Sequence, residues 1–243
     1  MQVKLSVVVP AFNEERLLGA TLQSIRGSGA AFTSAGWEWE IVVCDNNSTD
    51  RTAEIARTAG ARVVHEPVNQ IGRARNTGAA AARGEWILFV DADSQPSQEL
   101  LQDVVNAIRS GEVLAGGSTL RLDSDHRFAL AVTRFWNRVS RFRRLVAGSF
   151  IFVNAAAFRE IGGFSKEFFA SEEIDLSKKL KRLARDRGLE IRILHEHPLL
   201  TSARKMHLYT PGEHLRFLLR TALARGKNLK DRDGCPTWYD GRR

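Results

Sequence analysis

Short apolar runs alternate along the first hundred residues with segments whose apolar positions recur every three or four residues. Leu5 to Val9 is a continuous, β-branched run and reads as a buried strand, punctuated by Pro10 and Asn13. Leu17, Leu18, Leu22 and Ile25 then share one helical face. Glu40 to Cys44 repeats the strand pattern, and Ser48, Thr49 and Asp50 offer N-cap chemistry for a helix ending near Ala59. Arg62 to His65 is a third short strand, an Ala-rich helix follows from about Gly72 to Ala82, and Trp86 to Val90 is a fourth strand. Pro96 and Ser97 open a helix that places Leu100, Leu101, Val104, Val105 and Ile108 in register before Gly111 stops it. Strands apolar on both faces, each followed by a helix, predict an α/β protein with a largely parallel sheet.

After Gly116 and Gly117 the pattern loosens. Val113 to Leu122 and Ser149 to Val153 read as strands, with room for an antiparallel member. Between them Phe135, Val139, Phe142 and Val146 recur at helical spacing beside Arg134, Arg138, Arg141, Arg143 and Arg144. This helix is expected to pack its aromatic side on the domain and let its arginines snorkel; the alternative lays it on an anionic membrane. Ser171 is placed as the cap of a helix ending at Gly188, Ile191 to Leu194 as a strand, and Thr210 to Glu213 as a capping box for a last helix to Gly226, before a polar, loosely ordered tail. With no repeat or low-complexity linker, one domain is expected over residues 1–243.

The 243 residues are 43% hydrophobic and 26% charged, which is ordinary globular usage and enough chain for a sizeable core. A formal net charge of +8 implies an anionic partner without choosing among nucleic acid, phosphorylated small molecules and membranes. The two cysteines, Cys44 and Cys235, suggest neither a disulfide framework nor a zinc site. The N-terminus lacks a signal-peptide core and no apolar run nears the roughly 20 residues a bilayer span requires. A cytoplasmic protein is therefore expected, with peripheral contact at the inner membrane face as the further option.

The chemistry gathers where strands end. Ile87 to Asp93 reads I-L-F-V-D-A-D, and in extended chain Asp91 and Asp93 point the same way. Two like charges at the end of a buried strand call for a neutralising partner, and Mg²⁺ or Mn²⁺ held against substrate phosphates is a natural one. The first strand delivers Pro10-Ala11-Phe12-Asn13-Glu14 and the second Asp45-Asn46-Asn47-Ser48. In open α/β sheets ligands bind beyond the carboxyl ends of strands, so these clusters share one rim.

Taken in order, S-V-V-V-P-A-F-N-E-E, I-V-V-C-D-N-N-S-T-D, G-R-A-R-N-T-G and F-V-D-A-D-S resemble the nucleotide-sugar-binding half of family 2 glycosyltransferases. The later S-F-I-F-V-N-A-A-A-F-R-E-I-G-G-F and S-E-E-I-D-L resemble that family's acceptor half. The resemblance implies a GT-A fold, a Rossmann-like α/β/α sandwich around a mixed, mostly parallel sheet. It divides the chain into a nucleotide-sugar half to about residue 117, an acceptor half over about 118–210, and a C-terminal helix and tail over 211–243.

It further implies that Pro10, Ala11, Glu14 and Asp45 hold the nucleoside, with turn and N-cap service as the other reading of Asp45. Arg75 would face the diphosphate, or Arg73 in its place, and Arg204 could contact phosphate. Asp91, Ala92 and Asp93 would lie at ribose and metal, with Asp93 the principal ligand. A third ligand is sought among His195, His197 and His207, of which His207 is taken. Glu173 would be the catalytic base with Asp175 behind it, its ionised form favoured at a helix N-terminus. Gly162-Gly163-Phe164 would bring backbone near sugar or acceptor, or simply end a helix. Two departures stand out: Asn46 where the family usually has Asp, and Glu173 where it has Asp. The processive signature Q-x-x-R-W is missing.

The expected activity is transfer of one sugar from a nucleotide-diphosphate sugar to the hydroxyl of a sugar, small molecule or lipid-linked acceptor, with inversion. A sugar-phosphate nucleotidyltransferase is the first rival, weakened because Ala11-Phe12-Asn13-Glu14 stands where a Gly-rich loop is needed. A basic nucleic-acid or membrane-binding module is the second. It leaves the carboxylates unexplained, so no nucleic-acid partner is expected.

Overall fold

The computed structural model describes residues 2–146, 148–204, 227–231 and 235. The predicted last helix falls outside them. The strands are β1 (Leu5–Ala11), β2 (Trp39–Asp45), β3 (Arg62–His65), β4 (Trp86–Val90), β5 (Ser94–Gln95), β6 (Val113–Leu122), β7 (Phe150–Asn154) and β8 (Glu190–Thr201). The helices are α1 (Leu18–Ser28), α2 (Ala30–Ser34), α3 (Thr52–Thr58), α4 (Ile71–Ala81), α5 (Gln98–Arg109), α6 (Arg127–Arg143), α7 (Ala155–Glu160) and α8 (Glu172–Asp186).

One mixed sheet runs β3-β2-β1-β4-β7-β6-β8-β5. The first four strands in that order are parallel, as their two-sided apolar character predicts. β7 is inserted antiparallel between β4 and β6, and β8 returns parallel to β6. Because side chains alternate across a sheet, Val7, Val9, Leu88 and Val90 feed the apolar cluster under α1, α2 and α5. Val8, Ile87 and Phe89 feed the opposite cluster, with α7 and α8. α4 lies close on β1: a Cβ on Gly78 would stand 2.5 Å from Val8 Cγ1, so only glycine fits.

Several expectations change. β8 is three times the predicted length, because charged, histidine and proline positions separate its buried apolar residues Ile191, Leu194 and Leu199. α2, α7 and the two-residue β5 were not foreseen. α3 begins at Thr52, later than the Ser48–Asp50 signal suggested, with Asp50 Oδ1 accepting from the Thr52 amide at 2.9 Å. Ser171 precedes α8 in left-handed conformation (φ 63°) and makes no side-chain cap. The aromatic side of α6 is not packed on the domain: Phe135 and Phe142 are 70% and 83% exposed. In the tail, Lys227–Lys230 forms a 3-10 turn whose Leu229 carbonyl accepts from the Phe169 amide, and Cys235 is buried.

Candidate active site

Three parallel strands bring their carboxyl ends to one rim. Ala11 pairs with Asp45 in register, and the Asn46 amide continues the ladder by donating to the Ala11 carbonyl at 2.8 Å. Beyond the rim is a cavity of about 300 Å³. Pro10, Ala11 and Glu14 line it from β1 and its following loop, Asn46 from the end of β2, and Asp91, Ala92 and Asp93 from the end of β4. Arg75 of α4 forms its floor, Trp136 of α6 and Ser149 one wall, and Glu172 and Glu173 of α8 another. Thus Pro10, Ala11, Glu14, Arg75, Asp91, Ala92, Asp93 and Glu173 meet in one place, although up to 163 residues separate them in sequence.

Arg75 is 2% exposed and is already engaged. Its Nη2 donates to Asp91 Oδ1 and to the Gly148 carbonyl, both at 2.9 Å, and its Nη1 pairs with Glu172 Oε1. Burial works against the guanidinium charge, but Asp91, Glu172 and Glu173 outweigh it and hold the group protonated. Phe164 lies beneath, 5.2 Å from ring centroid to guanidinium carbon. Arg75 therefore offsets part of the negative charge of Asp91 and Glu172. Glu172, not singled out from the sequence, is as buried as Arg75, and its Oε2 has no hydrogen-bond partner.

Glu173 sits half-buried on the cavity wall. Burial, then the charge of Glu172, pushes its carboxyl up to about 8. The helix N-terminus thus fails to keep it ionised at neutral pH, contrary to the dipole argument, because desolvation and like charge are the larger effects. Asp175 points elsewhere, 2.8 Å from Lys179 one turn on.

Glu14 carries both carboxylate oxygens to Arg204 Nη2, at 2.6 and 2.8 Å, which ties β1 to the chain after β8. Asp45 serves its turn: Oδ1 accepts from the Ser48 amide at 3.2 Å and Oδ2 lies 3.4 Å from His65 Nδ1. Asn46 is a junction. Its Nδ2 donates to the Glu66 and Val68 carbonyls at 3.2 and 2.7 Å, and its Oδ1 accepts from the Gln70 amide at 2.9 Å. Gln70 in turn donates to the Lys166 and Phe168 carbonyls and accepts from Arg73 Nε. A carboxylate at position 46 could not make the two donations, which accounts for Asn at that position.

Gly162 and Gly163 have positive φ (77° and 65°) and end α7; a Cβ on Gly163 would stand 2.5 Å from Asn76 Oδ1, so the turn closes on α4. Asn76 bonds both the amide and the carbonyl of Phe164, and none of the three turn residues lines the cavity. Cys44 is buried and its thiol is pushed up to about 12, mainly by burial.

Among the described residues no three His, Cys, Asp or Glu side chains gather as a metal cluster. Asp91 and Asp93 offer hard oxygen donors at the cavity, the first shared with Arg75 and the second accepting from Ser94 Oγ at 3.3 Å. Such a pair fits a Mg²⁺- or Mn²⁺-like ion that keeps water and substrate oxygens as its remaining ligands. His197 pairs with Asp103 at 2.9 Å and His195 lies in a groove beside α6, so neither reaches the cavity; His207 lies outside the described residues.

Residues 6–161 match the profile of Glycosyl transferase family 2. An uncharacterized protein of Methanocaldococcus jannaschii is 29% identical over 198 residues, covering 76% of this chain and 77% of its own. The low-salt glycan biosynthesis hexosyltransferase Agl6 of Haloferax volcanii is 39% identical over 117 residues, covering 48% of this chain and 27% of its own. The chain thus spans nearly four fifths of the first relative but only about a quarter of the second. The crystal structure of S. aureus TarS 1-349 superimposes with a TM-score of 0.66 at 20% identity, covering 97% of this chain and 78% of that one. Glucosyl-3-phosphoglycerate synthase from Mycobacterium tuberculosis, in complex with Mn²⁺ and UDP, superimposes with a TM-score of 0.63 at 22% identity, covering 91% and 78%. The sheet and its flanking helices are those of the GT-A fold.

Proposed function

Because the chain belongs to glycosyl transferase family 2, we propose that it moves one sugar from a nucleotide-diphosphate sugar to an acceptor hydroxyl, with inversion and with a divalent cation. The observation that carries this reading is the meeting of Asp91, Asp93 and Glu173 around one cavity at the carboxyl ends of β1, β2 and β4. The neighbouring structures with UDP-GlcNAc, or with UDP and Mn²⁺, support a nucleotide-sugar donor of the same kind.

Pro10, Ala11 and Asn46 border the part of the cavity suited to a nucleoside, and Asp45 reaches the donor only if its turn opens. Asp93 and Asp91 would hold Mg²⁺ or Mn²⁺, which when bound neutralises the charge developing on the departing nucleoside diphosphate. Arg75 and Arg204 assist indirectly, by holding Asp91 and Glu14 in place, since both guanidinium groups are committed to carboxylates.

Glu173 accepts the acceptor's hydroxyl proton. The oxygen forms a bond to the anomeric carbon while the carbon–phosphate oxygen bond breaks, its electron pair leaving with the diphosphate. Attack opposite the leaving group inverts the anomeric centre. Trp136 and Ser149 line the same cavity as Glu173 and are the side chains available to orient an acceptor. Glu173 carries out this step only when ionised, so a proton must leave a carboxyl whose value is about 8 before donor and cation arrive.

Melting of the full chain with UDP-, GDP- and dTDP-sugars, with and without Mn²⁺ or Mg²⁺, tests the reading. One donor should raise the melting temperature only with the cation present, by mass action on the native state. Asp93→Asn should remove that shift and lower transfer about 10²–10³-fold, in the range expected for loss of one electrostatic contact to the transition state. A donor that stabilises equally without any cation, or an Asp93→Asn protein with wild-type transfer, would sink the metal-dependent reading. Product NMR reports the anomer.

A further inference from the structure

The wall formed by α6 has two sides. Asn137 pins the helix to β6, accepting from the Leu120 amide at 2.9 Å and donating to the Leu120 carbonyl at 2.8 Å. Trp136 and Leu120 face the cavity already described. On the other side, between α6 and β8, lies a groove of about 680 Å³ lined by Thr119, Arg134, Arg138, Arg141, Phe142 and His195. Among the described residues no carboxylate lines it.

Arg134, Arg138 and Arg141 stand at i, i+4 and i+7, so their guanidinium groups share one flank of the helix. Among the described residues none of the three has a hydrogen-bond or ion-pair partner for its side chain, whereas Arg144 beyond them reaches Glu190 at 3.7 Å. Like charges at such spacing repel, and a sequence that keeps three of them without a counter-charge leaves room for an external anion. Tetrahedral oxyanions match several guanidinium forks at once, which points to phosphate.

The stripe next to this flank names the source of the phosphate. Phe135 and Phe142, one heptad apart, are 70% and 83% exposed, and Val132, three residues before Phe135, is 42% exposed. A dissolved phosphate gives no reason to hold two phenyl rings in water. A lipid surface does, because rings beside arginines can enter the acyl boundary while the guanidinium groups stay at head-group level. We propose that the α6–β8 groove and the adjoining Phe135–Phe142 stripe dock on an anionic membrane, with a lipid head-group phosphate seated on Arg134, Arg138 and Arg141. Docking this way puts the cavity's own wall at the bilayer, so an acceptor embedded in lipid would meet Trp136 from the membrane side. The docking itself stands independently of the donor chemistry, because Arg134, Arg138, Arg141, Phe135 and Phe142 take no part in transfer.

Sedimentation of the full chain with vesicles of phosphatidylcholine alone, and of phosphatidylcholine mixed with phosphatidylglycerol, tests it. The protein should pellet with the mixed vesicles and not with the neutral ones, and high salt should release it. Each arginine of the three changed to alanine should weaken partitioning about fivefold, the effect of one basic residue near an anionic surface. Phe135→Ser with Phe142→Ser should weaken it further, and inorganic phosphate should not compete. Arg57→Ala, Arg83→Ala and Arg159→Ala together remove the same charge from exposed positions elsewhere and should pellet as wild type; melting curves confirm that every variant folds. The proposal falls if mixed vesicles do not retain the protein or neutral ones retain it equally. It falls equally if a variant with Arg134→Ala, Arg138→Ala and Arg141→Ala together partitions like the variant with Arg57→Ala, Arg83→Ala and Arg159→Ala. If phosphate alone competes while the phenylalanine variants partition normally, the groove is a site for a soluble oxyanion and the membrane assignment is wrong.

Discussion

At the residue scale the decisive group is Glu173. Its carboxyl, pushed up to about 8 by burial and by Glu172, is mostly protonated at neutral pH. Transfer per free enzyme should therefore rise with pH through a limb near 8, or lower once a cation near Asp91 adds positive charge, and level off above it. Glu173→Gln should flatten that limb and cost about 10²–10⁴-fold in rate. The same shift has a thermodynamic side. The folded carboxyl holds its proton more tightly than the unfolded one, so stability is full below the ordinary carboxylate value of 4.5 and is lost as pH rises towards about 8. Glu173→Gln lacks this loss, so its melting temperature should gain on wild type across that interval; curves that run parallel from pH 5 to pH 9 would show that Glu173 is not perturbed (about 1.4 kcal/mol per pKa unit is at stake). None of this is visible in S-E-E-I-D-L. The sequence shows acids in a first helical turn, which suggests an ionised base, whereas the raised value depends first on burial of the folded site, then on the adjacent Glu172 and on Asp91 from a distant segment, with Arg75 opposing it.

At the element scale, what was legible were the strands and helices with uninterrupted patterns. Arg62–His65 and Trp86–Val90 fall where the apolar runs put them, and α5 follows its five apolar positions with Ser97 Oγ accepting from the Leu100 amide. β8 escaped because His195, Glu196, His197 and Pro198 interrupt its pattern while β6 still pairs around them, with a register shift at Ser118 and Leu120. The exposed rings of α6 were misplaced for a different reason: periodicity identifies an apolar face but not what covers it. Asn46 illustrates the converse, a polar residue whose value lies in joining elements. It links the end of β2 to the loop carrying Glu66 and Val68 and to Gln70 ahead of α4. Asn46→Asp keeps the shape but loses both donations and places a second carboxylate beside Asp45. Urea unfolding should show a loss of about 1–3 kcal/mol, the cost of leaving buried acceptors unpaired. An unchanged midpoint would mean that the loop holds itself.

At the scale of the whole molecule, the sheet decides how separable the two halves are. The sequence suggests a nucleotide-binding half ending near residue 117, and its first four strands form the parallel run β3-β2-β1-β4. Yet β4 is not an edge. β7 from the second half pairs with it along its whole length, from Trp86–Asn154 to Val90–Phe150, and the Asp91 amide extends the ladder to the Ser149 carbonyl. The Arg75–Glu172 pair and the Gln70 bonds to Lys166 and Phe168 cross the same division. A chain cut after Gly117 would leave the five buried residues of β4 as an open, uncharged edge and would leave Arg75 without Glu172. Such an edge recruits other strands, so the 1–117 fragment should aggregate or stay unfolded rather than bind donor. The intact chain, held across the division by strand pairing, should unfold in one transition, with far-UV circular dichroism and tryptophan fluorescence tracing the same urea curve. Trp86 reports the first half in that experiment and Trp136 the second, so two separated fluorescence steps, or a folded soluble fragment, would show that the halves are independent domains.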